Sequence, residues 1–253
     1  MALDIAQLRK VYPDGTVALD GIDLLVPDGQ FLAVIGLSGS GKSTLMRCIN
    51  RLIEPTSGTI TLDGIDVTSA NRQELRRIRG QVGMIFQQFN LVKRSSVLTN
   101  TLAGRLGYVD TFLSLINWFP SKDRELAMLN LTRVGIAEKA EQRADTLSGG
   151  QQQRVGIARA LTQKPKLILA DEPVASLDPA TAHSILDYLE QANKQDGITV
   201  VCSLHFLSLA RRYADRVIAL KAGKIVFDGP PDEIDDTRFK EIYGEGAEEV
   251  EVT

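Results

Sequence analysis

The stretch that decides the fold is Gly36-Leu37-Ser38-Gly39-Ser40-Gly41-Lys42-Ser43-Thr44. Residues 31–35 before it are continuously apolar and include β-branched side chains, which is typical of a buried strand in a parallel sheet. After it, apolar residues recur at helical spacing at Leu45, Met46, Ile49 and Leu52. The stretch is therefore predicted to be a turn from a buried strand into a helix.

The composition of this turn favours a phosphate ligand. Gly36, Gly39 and Gly41 allow backbone conformations closed to other residues, so amides can turn inward around an anion at the positive end of the helix. Lys42 then reaches the β- and γ-phosphates of a nucleotide, and the Ser43 hydroxyl binds Mg²⁺. The alternative is a glycine-rich turn without a ligand, which both flanks disfavour. We predict that residues 36–44 bind the nucleotide.

The overall composition excludes some functions. The chain has 253 residues with 29 basic and 32 acidic side chains, so no polycationic face for DNA or RNA is expected. Its start lacks a basic region followed by an apolar core, and no stretch approaches the roughly 20 apolar residues that span a bilayer. Cys48 and Cys202 fall in apolar segments typical of buried thiols in a reducing compartment. The sequence thus predicts a soluble chain that is not exported.

Turn signals punctuate the first part of the chain. They lie at residues 13–15, 20–21, 27–29 and 63–64, between short strand candidates. Such punctuation favours antiparallel strand pairing around the nucleotide turn. Tyr12 lies in one of these turns, where an aromatic ring either stacks on a purine or packs internally.

Two adjacent carboxylates, Asp171 and Glu172, follow the apolar run 167–170. An acid at the carboxyl end of a core strand beside a phosphate-binding turn holds Mg²⁺, usually through water. Its neighbour Glu172 is placed to orient or deprotonate the attacking water. Consecutive side chains of a strand point to opposite faces, but Pro173 ends the strand here. We therefore expect both carboxylates to serve one site.

Gln87 and His205 also follow predicted strands, at residues 82–86 and 198–202. Ligands bind at the carboxyl ends of strands in open α/β sheets. A glutamine amide at this edge contacts a metal or a water, and a histidine can hydrogen-bond to the γ-phosphate. We predict a catalytic and metal-binding role for Gln87 and a catalytic role for His205; the alternative for Gln87 is a plain polar strand end.

A second glycine-containing helix start, Ser148-Gly149-Gly150-Gln151, has two readings. Serine before glycines is a good helix N-cap. The same exposed amides at a positive helix end also form a phosphate-binding site. One nucleotide turn does not need two such sites, so a second one makes sense if it serves the nucleotide of another protomer.

Residues 91–145 show helical periodicity and no strong strand, which predicts a helical subdomain inserted into the α/β core. Bulky apolar side chains concentrate within it at Tyr108, Phe112, Leu113, Leu115, Ile116, Trp118 and Phe119. Clustered apolar residues usually form core, whereas an exposed cluster is a docking patch. The sequence leaves both readings open.

Taken in order along the chain, these residues resemble the ATP-binding subunit of ABC transporters. The resemblance assigns the motifs as follows: aromatic loop at Tyr12, Walker A at 36–43, Q-loop at Gln87, signature at 147–151, Walker B ending at Asp171, catalytic Glu172, D-loop at 176–178 and switch His205. It implies an α/β P-loop NTPase fold and a single ABC ATPase domain. Residues 1–90 would form the nucleotide-binding core with an antiparallel β subdomain, 91–145 the helical subdomain, and 146–253 the signature, Walker B and switch part of the core.

The resemblance further implies a homodimer that holds two ATP molecules with Mg²⁺ head to tail, each between one protomer's Walker A and the other's signature. Ser148, Gly149, Gly150, Gln151 and Asp178 would then bind the partner's nucleotide. Hydrolysis would be coupled to integral-membrane permease subunits at the cytoplasmic face of the bacterial cell membrane, and indirectly to a periplasmic solute-binding protein. No nucleic acid is expected as a partner.

Residues 96–107, 118–120 and 171–179 resemble phosphonate importer ATP-binding subunits more closely, including Val174 where the familiar ABC form has Thr. This implies ATP-driven import of phosphonates. One alternative is the same motor for phosphite or hypophosphite, and another is a nucleotide-dependent clamp in a soluble complex. A clamp that does not hydrolyse ATP has no need of Glu172 and His205. A DNA-repair ABC ATPase would require a coiled-coil insertion longer than residues 91–145.

Overall fold

The computed structural model describes residues 1–110, 112–113 and 118–247. Its strands are β1 (Leu3–Val11), β2 (Val17–Val26), β3 (Phe31–Ile35), β4 (Ser57–Leu62), β5 (Ile65–Asp66), β6 (Val82–Ile85), β7 (Leu167–Ala170), β8 (Thr199–Ser203), β9 (Arg216–Lys221) and β10 (Lys224–Gly229). Its α-helices are α1 (Lys42–Ile49), α2 (Arg72–Gly80), α3 (Val97–Leu102), α4 (Ser121–Arg133), α5 (Gly149–Thr162), α6 (Pro179–Lys194), α7 (Leu207–Tyr213) and α8 (Asp236–Tyr243).

A mainly parallel sheet carries the nucleotide turn. Its strand order is β10-β9-β3-β8-β7-β6, in which β10 runs antiparallel to β9 and the other neighbours pair in parallel. Alternate side chains of β3 enter two separate cores: Phe31, Ala33 and Ile35 one, Leu32 and Val34 the other. Because β3 is buried on both faces, it reads as an unbroken apolar run.

An antiparallel sheet of order β2-β1-β4-β5 covers the α1 face of the parallel sheet. Leu3 and Ile5 of β1 belong to the same buried cluster as Leu45 of α1 and Leu32 of β3. The pairing of β1 with β2 shifts register at several points, so the strands bulge along their length. The start of β2 lies beside the nucleotide turn, where the Ala18 carbonyl oxygen faces Gly41.

The helical segment covers the opposite face. Leu102 of α3 and Leu131 of α4 share one buried cluster with Ile157 of α5 and Phe31 of β3. The two sheets and this segment confirm the predicted class, an α/β P-loop fold with an antiparallel β subdomain and an inserted helical part. In the described part of the chain, no helix is long and apolar enough to cross a bilayer.

The apolar cluster predicted within the helical segment divides into buried and exposed side chains. Tyr108, Phe112 and Trp118 are 50%, 71% and 53% exposed, whereas Phe119 is 7% exposed. Leu113 packs partly against the core. The remaining members, Leu115 and Ile116, lie outside the described residues. Phe119 is therefore core, and Phe112 and Trp118 are exposed, whereas Tyr108 bonds to the Gly80 carbonyl oxygen and its ring faces the Arg105 guanidinium.

Candidate nucleotide-binding site

The turn between β3 and α1 requires glycine at two positions for steric reasons. A Cβ atom on Gly36 would lie 2.2 Å from the carbonyl oxygen of Leu220, and one on Gly41 would lie 2.5 Å from that of Ala18. Both residues also have left-handed backbones, with φ of 138° and 111°. Gly41 is the N-cap of α1, so the unpaired amides of the first helical turn point into the loop.

Lys42 is buried beneath this turn and lacks a full counter-charge. Its Nζ donates to the carbonyl oxygens of Gly36, at 2.7 Å, and Leu37, at 3.0 Å, and lies 4.0 Å from Glu172 Oε1. Burial lowers the pKa of Lys42, against the opposing influence of Glu172 and Asp171. A buried ammonium held only by carbonyl oxygens and a distant carboxylate fits a phosphate ligand.

Ser40, in the same turn, has a buried hydroxyl group without a hydrogen-bond partner among the described residues. Buried hydroxyl groups are almost always paired. Ser40 is not among the residues that line the adjacent cavity of about 420 Å³, so its hydroxyl is not assigned to a ligand.

Asp171 and Ser43 form an oxygen-rich pair. Ser43 Oγ donates to Asp171 Oδ1 at 2.7 Å, and Arg47 Nη2 lies 3.4 Å from Asp171 Oδ2. Hydroxyl and carboxylate oxygens are ligands that suit Mg²⁺, which keeps waters and takes phosphate oxygens as well. No group of three or more His, Cys, Asp or Glu residues that could hold a metal is found among the described residues. The pair thus fits Mg²⁺ bound jointly with a nucleotide.

Glu172 turns back toward the same site because its own backbone is left-handed, with φ of 50°. Its N–H donates to Ser203 Oγ at 2.8 Å, which holds this turn in place. Its Oε1 lies 2.8 Å from Nε2 of His205. The shared orientation of Asp171 and Glu172, expected from the strand end at Pro173, has a more direct cause in the left-handed turn at Glu172.

These side chains surround a cavity of about 420 Å³. Its lining comprises Tyr12, Thr16, Val17, Ala18, Ser38, Gly39, Gly41, Lys42, Ser43, Thr44, Gln87 and Glu172. Tyr12 is half-buried at the rim, with its hydroxyl 3.2 Å from Thr44 Oγ1 and the Lys10 ammonium 5.3 Å from its ring centre. The nucleotide turn, Gln87 and Glu172 therefore line one cavity, and His205 contacts it through Glu172.

The second glycine-containing helix start is not part of this cavity lining. Ser148 caps α5: its Oγ accepts from the Gln151 N–H at 3.4 Å, and Gln151 Oε1 accepts from the Ser148 N–H at 3.1 Å. Asp178 caps α6 by accepting from the Thr181 N–H at 3.0 Å, and hydrogen bonds from Thr181 lower its pKa. Within one chain, Ser148–Gln151 and Asp178 therefore lie apart from the nucleotide turn.

Two residues near the site were not predicted from the sequence. Arg47 follows Ser43 by one helical turn, so helix spacing could have placed it beside Asp171. Ser203 ends β8, two positions before His205, and the carboxyl end of a buried strand was the available signal.

Comparison with known proteins agrees with this geometry. A family model described as ABC transporter matches residues 19–175. Similar proteins include phosphonates import ATP-binding protein PhnC 3 of Halalkalibacterium halodurans, 53% identical over 242 residues that cover 96% of this chain and 94% of that protein. PhnC of Bdellovibrio bacteriovorus is 57% identical over 249 residues, covering 98% of this chain and 95% of that one. The resemblance expected from the motifs is confirmed.

Solved structures give the same result. A dimeric post-hydrolysis ATP-binding cassette bound to ADP and Pi superposes with a TM-score of 0.81 at 34% identity, covering 90% of this chain and 98% of that one. CbiO1 from Clostridium perfringens, part of the ABC transporter complex cbiONQ, superposes with a TM-score of 0.79 at 30% identity, covering 94% and 92%. This chain therefore belongs to the ABC transporter family, as one of its ATP-binding, ATP-hydrolysing subunits.

Proposed function

We propose that this chain is the ATP-hydrolysing subunit of an importer for phosphonates. The similar proteins from Halalkalibacterium halodurans and Bdellovibrio bacteriovorus are phosphonates import ATP-binding proteins, and the alignments cover nearly the whole chain. The subunit would work as a homodimer, attached to integral-membrane permease subunits at the cytoplasmic face of the cell membrane. A periplasmic solute-binding protein would deliver the solute to that permease.

The residues around the nucleotide turn divide the binding of MgATP between them. Lys42 and the amides of residues 36–44 hold the β- and γ-phosphates. Ser43, Gln87 and Asp171 hold Mg²⁺, and Tyr12 stacks on the purine. Bound Mg²⁺ supplies neutralisation of the charge that develops on the phosphate oxygens. The buried Lys42 ammonium supports this assignment, since it is held by carbonyl oxygens and gains an anionic partner when phosphate binds.

The observation that carries the hydrolytic function is the position of Glu172. Its carboxylate lies between Lys42, 4.0 Å away, and His205, 2.8 Å away. In this position the carboxylate takes a proton from the attacking water, while Lys42 remains on the phosphate side. The imidazole of His205 orients the carboxylate, and a hydrogen bond from this imidazole to the γ-phosphate is part of the same proposal. A module that binds ATP without turning it over has no use for this pair.

The dimer follows from the separation of the two anion sites. Ser148–Gln151 presents helix-start amides, and Asp178 lies in the neighbouring loop, yet neither lines the cavity at the nucleotide turn. A second copy placed head to tail would bring its own Ser148–Gln151 onto the nucleotide of the first. The dimeric cassettes among the similar solved structures support this arrangement.

Mixing two inactive variants tests the shared site. Lys42→Ala damages the nucleotide turn, and Ser148→Arg blocks the second anion site, so each homodimer has two damaged sites. A heterodimer has one site with both lesions and one intact site. Mixing equal amounts should restore roughly a quarter of wild-type ATPase, because half of the dimers carry one good site of two. No recovery, with heterodimers detected by native mass spectrometry, would contradict independent shared sites.

A further inference from the structure

The turn directly after Gln87 and Gln88 has an unfavourable backbone. Phe89 and Asn90 are consecutive non-glycine residues in the left-handed region, with φ of 57° and 48°. Such conformations persist only where surrounding contacts hold them, and they cluster at functional sites. The turn that carries Gln87 therefore needs an external support.

Arg159, on α5, provides that support. Its Nη2 donates to the carbonyl oxygen of Phe89 at 2.9 Å, and its Nη1 donates to that of Asn90 at 2.6 Å. Both bonds are charge-assisted and come from one rigid guanidinium. Burial lowers the pKa of Arg159, and no neighbouring charge among the described residues contributes to this shift. The guanidinium is thus committed to the backbone of this turn.

The same turn also contacts the beginning of α5. A Cβ atom on Gly149 would lie 3.7 Å from Phe89 Cζ, so the Phe89 ring packs over the first residue of the helix. The turn is therefore fixed to α5 at two points, at the start of the helix and at Arg159, nearly three helical turns further on. A shift of the Gln87 turn must move α5 with it or break these contacts.

We propose that Arg159 is a positioning residue that makes the Gln87 turn and α5 move as one unit. Nucleotide contact at Gln87 in one subunit then sets the orientation in which Ser148–Gln151, at the start of α5, meets the nucleotide of the partner copy. The proposal rests on the head-to-tail dimer of the proposed function. Arg159 itself does not line the cavity at the nucleotide turn.

The test uses the full chain carrying Glu172→Gln, in which MgATP drives dimer formation without turnover. Adding Arg159→Gln removes the donors at both carbonyl oxygens. We expect MgATP affinity of the monomer to remain near that of the parent, and the ATP concentration for half-maximal dimer formation to rise about tenfold. Arg159→Lys retains the charge but only one donor group. Its ATP concentration for half-maximal dimer formation should therefore lie between those of the parent and of Arg159→Gln. Unchanged dimer formation in either folded variant would overturn the proposal.

Arg154→Gln is the matched control, because this guanidinium lies on the same helix but faces the ring of Tyr188, 5.8 Å from its centre. It should dimerise like the parent, and a defect equal to that of Arg159→Gln would overturn the proposal. Amide hydrogen exchange of the monomers adds a readout independent of the dimer: exchange should quicken at Phe89 and Asn90 and stay unchanged in the middle of α5. Uniform quickening would mean general destabilisation and would contradict a positioning role. A parent that fails to dimerise with MgATP would instead refute the shared site of the proposed function.

Discussion

Trp118 and Phe119 are neighbours in sequence with opposite environments, which makes them a matched pair for testing a docking role. Phe119 is 7% exposed, and truncating a buried phenylalanine to alanine destabilises a protein by about 3–5 kcal/mol. Trp118 is 53% exposed, so folding removes from water about half of the roughly 200 Å² that a fully buried tryptophan side chain loses. At about 25 cal/mol per Å², less the burial already present in the unfolded chain, Trp118→Ala should cost about 2 kcal/mol.

Equilibrium unfolding in urea measures both losses in the isolated subunit. Trp118→Ala should retain basal ATPase near wild type, because the ring lies outside the nucleotide cavity. In the importer reconstituted with its permease, the same variant should lose transport, since exposed aromatic rings are typical anchors of protein interfaces. Phe119→Ala should lower the free energy of unfolding by about 1–3 kcal/mol more than Trp118→Ala does.

Two results would refute this reasoning. A loss of unfolding free energy as large as that of Phe119→Ala would mean that Trp118 is a core residue in solution. Wild-type transport by the folded Trp118→Ala variant would mean that its ring is not a docking anchor for the permease.

Three further predictions concern single residues. Gly41→Ala should abolish detectable MgATP binding in a calorimetric titration, because its Cβ would meet the Ala18 carbonyl oxygen at 2.5 Å and alter the turn; wild-type affinity would contradict this. Glu172→Gln should bind MgATP but lose phosphate release, since an amide cannot accept the proton of water; wild-type turnover would remove Glu172 from that role. Hydrogen bonds, chiefly from Thr68, lower the pKa of Asp66 from 3.8 to about 2. Its stabilising effect is therefore present above pH 3.8 and is lost as the pH falls through 2. Asp66→Asn should lower the free energy of unfolding by less than about 1 kcal/mol at pH 7, because the carboxylate is near the surface, and should have no such effect well below pH 2.

The elements predicted most accurately were short strands buried on both faces. The predicted runs 31–35 and 167–170 coincide with β3 and β7, because each is apolar throughout and stops at a glycine or a pair of acids. By contrast, α8 was missed. Among its residues Phe239 and Ile242 are the buried ones, so its apolar periodicity is weak, and its clearest signal is the capping Asp235.

Within the site, local sequence could indicate residue type and approximate place but not long-range contacts. The bond from the Glu172 amide to Ser203 and the bonds from Arg159 to the turn after Gln87 join residues on different elements. The left-handed backbone of Glu172 has no signal in its own residue type, because glutamate seldom adopts it. Tertiary packing decides these features, so the pattern of apolar residues along the chain cannot reveal them.

The roles that depend on a second copy or on a ligand stay predictions. Tyr12 lines the cavity, which is compatible with stacking on a purine, but the ring also packs beside Thr44. Ser148 and Asp178 act as helix caps within the single chain, and their nucleotide contacts require the partner. The division into residues 1–90, 91–145 and 146–253 likewise stays a prediction.

Growth on a phosphonate as the sole phosphorus source tests the central claim, ATP-driven phosphonate import, most directly. A strain lacking this gene should fail to grow on phosphonate and should grow normally on phosphate. The wild-type gene should restore growth on phosphonate, and the Glu172→Gln gene should not, because the site would bind ATP without hydrolysing it. Normal growth of the deletion strain on several phosphonates, or full rescue by the Glu172→Gln gene, would contradict the account.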